Sequence, residues 1–126
     1  MTVRPPTIAA LGGGGFSQEP DNDKLDRWLL SLTNVRNPRV LFVPTASGDS
    51  DHSHYDGEAT RRPTYQRMVA EEELLPGIAA DDGIAVLYRG VEIEEVVASG
   101  PGKSAWSVAT GSSGTLTEKP LEARQL

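Results

Sequence analysis

Hydrophobic and polar positions alternate along this chain with two different periods. The stretch "TIAALGGGGFS" begins as a short strand expected to be buried, Thr7 to Leu11, and then enters four glycines, Gly12 to Gly15. A strand that runs into glycines and then a helix is the start of a βα unit. The helix is expected in "PDNDKLDRWLLSLT", where Leu25, Trp28, Leu29 and Leu32 fall at i, i+3, i+4 and i+7, on one face. Asp21 or Asn22 is placed to cap it, and acids in its first turn suit the helix dipole. A second all-apolar strand, Arg39 to Val43, is stopped by Pro44. Two apolar strands around an amphipathic helix read as βαβ, so the sheet is expected to be parallel and covered on both faces.

After Ser50 the pattern changes. "EATRRPTYQRMVAEEELL" predicts a helix with Tyr65, Met68 and Val69 on one side and Pro63 in its first turn. Short strands are then expected at 77–80, 84–90, 91–100, 104–110 and 115–120. They are separated by "DDG", "RG", "GPG" and "GSSG", which are turn signals, so this half reads as an antiparallel meander. The fold class is therefore α/β. A truncated, flavodoxin-like parallel sheet in 1–50 joins a C-terminal helix and β-hairpins in 51–126, all in one domain. Two parallel strands leave such a sheet unfinished, because parallel sheets bury both faces and usually have more strands.

Composition narrows the function. The 126 residues make one domain's worth of chain. Net charge is −6, which argues against nucleic acid or an anionic membrane as the main partner. With no cysteine, disulfides and thiolate metal sites are excluded. No apolar run reaches the length of a membrane span, and the N-terminus lacks the apolar core of a signal peptide. A cytoplasmic location is the resulting expectation.

The glycine run has neither a Gly-Lys-Ser/Thr ending nor the G-x-G-x-x-G spacing, so it does not read as a phosphate loop. Both histidines lie in "DSDHSHYDGE". His52 and His54, with Asp49 and Asp51, could in principle supply the three or four ligands that zinc needs. A small metal-binding protein is therefore one reading of this stretch, although no metal or other cofactor is expected.

Two blocks carry a resemblance to a known family. "IAALGGGGFSQEPDNDKLDRWLLSLTNVRNPRVLFVPTASGDS" resembles the start of the peptidase E (aspartyl dipeptidase) family. "HYDGEATRRPTYQRMVAEEELLPGIAADDGIAVLYRG", through to "EKPLEARQL", resembles its end. The resemblance implies a fold similar to class I glutamine amidotransferases. It also implies serine-type hydrolysis of N-terminal aspartyl dipeptides by a Ser-His-acid triad. The segment between the blocks, with the nucleophile elbow and the glycine-rich turn of the oxyanion hole, is absent. That absence accounts for the unfinished sheet.

By this resemblance His54 is the triad base, taking a proton from a serine hydroxyl and returning it to the leaving amine. Asp82 matches the triad acid, with Asp81 the competing choice. Arg61 and Arg62 match a cationic helix start, where an arginine would hold the substrate's carboxylate bidentately. No Gly-x-Ser-x-Gly elbow exists for the nucleophile. Ser104, in "GKSAW", lies among hairpins, and Ser47, in "PTASGDS", lacks the elbow. The expectation is therefore a peptidase E-like chain without activity, whose partner by resemblance is a small peptide. The alternative is a non-catalytic remnant that binds a ligand or forms homo-oligomers through exposed sheet edges.

Overall fold

The computed structural model describes residues 5–13, 21–37 and 59–126. Their elements in chain order are β1 (Thr7–Leu11), α1 (Lys24–Ser31), α2 (Arg61–Ala70), β2 (Gly77–Ala80), β3 (Ile84–Arg89), β4 (Glu92–Ala98), β5 (Ala105–Thr110), β6 (Leu116–Leu121) and β7 (Arg124–Gln125). Every expected strand from residue 77 to residue 120 is present, with ends shifted by a residue or two. The expected strand at 39–43 lies outside the described residues.

The strands form two sheets. One has the order β1-β3-β4-β7, the other β2-β5-β6. The period-two alternation of β3 shows why they stack. Ile84 and Val86 point to one side, with Val96, Ala98 and Ala105, against Ile78, Ala80 and Leu121 of the second sheet. Ala85 and Leu87 point to the other side, with Val97, and meet Leu25 and Trp28 of α1. Strand β3 is thus apolar on both faces because both are covered. Helix α2 packs on the outer face of the second sheet, against β5 and β6. The layers run α1, first sheet, second sheet, α2.

Several sequence expectations change here. Strand β1 is antiparallel to β3, with Thr7 opposite Arg89 and Leu11 opposite Ala85. Among the described residues the only parallel pair is β4 with β7, Val97 opposite Arg124 and Ala98 opposite Gln125. Strand β1, expected to be buried, has Ala9 half-buried and Thr7, Ile8, Ala10 and Leu11 exposed, and the parallel pair expected between β1 and 39–43 lies outside the described residues. The fold is α/β with mixed and antiparallel sheets.

Helix α1 begins after Asp23, whose side chain makes no capping bond. Asn22 instead donates its amide to the Ser99 carbonyl, 3.1 Å away, tying the start of α1 to the end of β4. Leu25 is fully buried and Trp28 nearly so, while Leu29 is 38% exposed and Leu32, the C-cap residue, 36%. Four apolar positions share the predicted face, but an eight-residue helix presents only its first two to the sheet. In α2, Val69 is buried, Tyr65 and Met68 are half-buried, and Pro63 sits in the first turn as expected. Pro120 is accepted within a strand because β6 is an edge. The short β7 is anchored by an Arg124–Glu95 ion pair of 2.6 Å, and Leu126 packs beneath it on the α1 cluster. None of the described helices is long and apolar enough to cross a membrane.

The end of β1 makes the tightest approach. A Cβ built on Gly12 would lie 2.4 Å from the carbonyl oxygens of both Ala80 and Asp81. Only a residue without a side chain lets β1 sit against that backbone. The Gly12 amide then donates to the Ile84 carbonyl at 3.0 Å. Gly12→Ala is expected to lower stability by about 1–3 kcal/mol, the usual cost of overpacking. Urea denaturation measures this, and an unchanged midpoint would contradict the packing described.

Candidate functional site

The chain passes from the second sheet to the first through a tight corner, residues 81–83, between β2 and β3. Gly83 holds a left-handed conformation there, φ 75°, which closes the turn into β3. Two of the sequence candidates, Asp81 and Asp82, occupy this corner, and the structure separates their roles.

Asp81 is buried, at 6% exposure. Its Oδ2 accepts the Ser104 backbone N–H at 3.0 Å, and its carboxylate accepts the Trp106 indole N–H at 3.2 Å. Its own N–H donates to the Ser104 carbonyl at 3.1 Å, and its carbonyl accepts from Ile84 at 3.2 Å. Every one of these contacts joins the corner to β3 or to the start of β5. Asp81 is a positioning residue of the fold, already engaged by two donors. Asp82, the next residue, is half-buried. His54, the expected base, lies outside the described residues, as do His52 and Ser47. The metal reading of that stretch therefore falls outside them too.

The two arginines also separate. Arg62 pairs with Glu118 of β6, whose other oxygen accepts from Gln66 at 2.6 Å. Its guanidinium lies over the Trp106 ring, 4.3 Å from the centroid. Arg62 thus fastens α2 to the second sheet. Arg61, one residue earlier, turns to a different place and lines a cavity.

The cavity has a volume of about 350 Å³ and lies where β1 overhangs β2, under the start of α2. Ala10 and Leu11 of β1, Ile78 and Ala79 of β2, and Val86 of β3 form apolar walls. Tyr65 of α2 and Tyr88 of β3 add phenols. Burial raises the Tyr65 hydroxyl above its ordinary pKa. Gly12 and Ala80 reach the same cavity, which places its floor next to the Asp81–Gly83 corner.

Sequence reasoning missed the second half of this arrangement. Tyr65 was read only as a helix-face residue and Tyr88 only as part of a strand. The signal that could have found Tyr65 was its spacing from Arg61: i and i+4 share a helix face. Nothing in the one-dimensional pattern brings β1 over β2.

Comparison with known proteins bears on the first part of the chain. Residues 8–56 match the model of peptidase family S51. A stretch of 45 residues is 56% identical to the uncharacterized peptidase YgaJ of Bacillus subtilis (strain 168). It covers 36% of this chain and 20% of that protein, so the chain spans about a fifth of the length of the curated relative it matches. No solved structure matches the chain. The resemblance to the peptidase E family is supported by these matches, and the family match ends at Asp56, just past His54.

If Asp81 organises the corner, Asp81→Ala leaves the buried Ser104 amide and Trp106 indole without an acceptor. A loss of about 1–3 kcal/mol is expected, with a changed Trp106 environment in fluorescence. A variant with wild-type stability and an unshifted emission spectrum would remove Asp81 from this role.

Proposed function

We propose that this chain is a peptidase E-like, serine-type exopeptidase module that has kept parts of its substrate and proton-transfer apparatus without a working nucleophile. The observation that carries the reading is Arg61 lining the cavity at the end of β1, in a chain whose first part matches a peptidase family. In this reading Asp82 would orient the imidazole of His54 and stabilise its cation. His54 would exchange the proton between an attacking hydroxyl and the leaving amine. Arg61 would hold the aspartate carboxylate of an N-terminal aspartyl dipeptide in a two-pronged grip. Arg62, engaged by Glu118 and Trp106, supports α2 rather than the substrate.

The missing part is chemical. An acyl transfer needs a serine on a strained elbow, and it needs N–H donors aimed at the developing oxyanion. Ser104 donates its backbone N–H to the Asp81 carboxylate and opens β5, with no elbow and no helix after it. Its hydroxyl is therefore not offered as a nucleophile. Binding without turnover is the function this leaves, with a small peptide rather than nucleic acid or a membrane as ligand, and a cytoplasmic setting. Association of copies through the β1 or β6 edge is a second role consistent with Ile8 and Leu11 of β1 being about half exposed.

Hydrolysis of an aspartyl dipeptide by the purified chain, run beside His54→Ala, tests the proposal. No turnover from folded protein is expected. Turnover abolished by His54→Ala would mean that a serine outside any elbow attacks, and the reading of lost chemistry would fail.

A further inference from the structure

We propose that residues 122–126 form an exchangeable strand: the groove they fill, between the end of β4 and α1, is an interface that receives the same residues from a second copy of this chain. The inference is independent of the peptidase reading. The groove has three parts. Val97 and Ala98 of β4 offer their edge to Arg124 and Gln125 in parallel pairing, and the Ala98 carbonyl accepts the Leu126 N–H at 3.0 Å. Glu95 of the same strand accepts the Arg124 Nε–H at 2.6 Å and a further bond from Trp28 of α1. Leu126 packs on the cluster of Leu25, Trp28, Ala85, Leu87 and Val97. The groove thus reads a cation two residues before an aliphatic side chain, on extended backbone. The Arg124 guanidinium holds the Glu95 carboxyl below its ordinary pKa, as a charge-assisted bond does.

The topology lets this segment leave and return. Among the described residues β6 is an outer strand of its sheet and β7 an outer strand of the other. The chain crosses between them through Glu122 and Ala123 alone. Peeling 122–126 away therefore breaks no pairing between other strands. It gives up two ladder positions, one partly exposed ion pair, and the packing of Ala123 and Leu126. What it leaves is an open edge on β4 and an uncovered apolar cluster, both unfavourable in water. The same segment of a second copy restores each contact in the groove, and reciprocal exchange does so twice, with closed two-fold symmetry. Within one chain the short connection keeps the segment at an effective concentration on the order of millimolar, so the closed monomer holds in dilute solution. Exchange belongs to concentrated protein, or to a chain whose own segment no longer fits its groove.

Charge reversal tests this in the full chain. In Glu95→Arg the groove repels its own Arg124. In Arg124→Glu the segment repels its own Glu95. The segment of each variant matches the groove of the other. Size-exclusion chromatography with light scattering is expected to show each variant alone as a monomer. The mixture is expected to give a one-to-one species of twice the chain mass, with a dissociation constant at least about tenfold below that of either variant alone, the size of one charge-assisted pair. Adding Leu126→Ser to both variants should abolish it. A mixture no more dimeric than its parts, or a dimer that survives Leu126→Ser, would overturn the proposal. If charge reversal unfolds the chain, wild type refolded at millimolar concentration gives the second reading. A dimer is expected that Leu126→Ser does not form. Monomer alone, or as much dimer from Leu126→Ser, would overturn the exchange.

Discussion

The corner that carries the chain from β2 into β3 is the constraint on which the rest of the structure depends. In the space of a few residues it receives strands from both sheets. The Gly12 amide reaches Ile84 from β1, and the Ser99 amide reaches the Gly83 carbonyl from the end of β4. Ser104 and Trp106 of β5 close on the Asp81 carboxylate. Asn22, at the entrance to α1, bonds to Ser99. Elements far apart in sequence are thus registered against one short turn. Such a network is costly to leave half-satisfied, which is why a buried carboxylate is tolerated there only with its donors in place.

The corner also decides what the chain offers chemically. Asp81 and Asp82 are neighbours of identical type, yet their surroundings divide them. The first is buried and fastened to β5, and the second is half-buried. The same division recurs in α2, where Arg62 is drawn onto Trp106 and Glu118 while Arg61 reaches the cavity. Trp106 sits at the centre of both divisions, with its indole N–H on Asp81 and its ring beneath Arg62. One aromatic side chain therefore commits one acid and one arginine to structure.

Much of the fold could be read in the sequence. The "RG" and "GSSG" turns mark the hairpins β3–β4 and β5–β6, while "DDG" and "GPG", read as turns of one meander, carry the chain between the two sheets; Leu25 and Trp28 announce the buried face of α1. What could not be read is long-range pairing. Strand β1, with Thr7 followed by four apolar residues, carries no sign of the direction of its neighbours, so its antiparallel pairing with β3 was invisible. Leu29 and Leu32 were misjudged because periodicity reports a face, not how much of it the sheet is wide enough to cover. At the site, residue type and resemblance pointed to Asp81 and Asp82 and to Arg61 and Arg62 without telling the members of either pair apart. The engagement of Asp81 and Arg62 depends on Trp106, Ser104 and Glu118, which lie on strands distant in sequence.

The proposed function leaves remnants of a serine peptidase apparatus without a reactive serine. A fluorophosphonate probe tests that claim directly, because it labels only serines activated as nucleophiles. Intact-mass analysis after incubation of the folded chain should show unmodified protein. A single adduct per chain, on Ser47 or any other serine, that disappears in His54→Ala would contradict the claim.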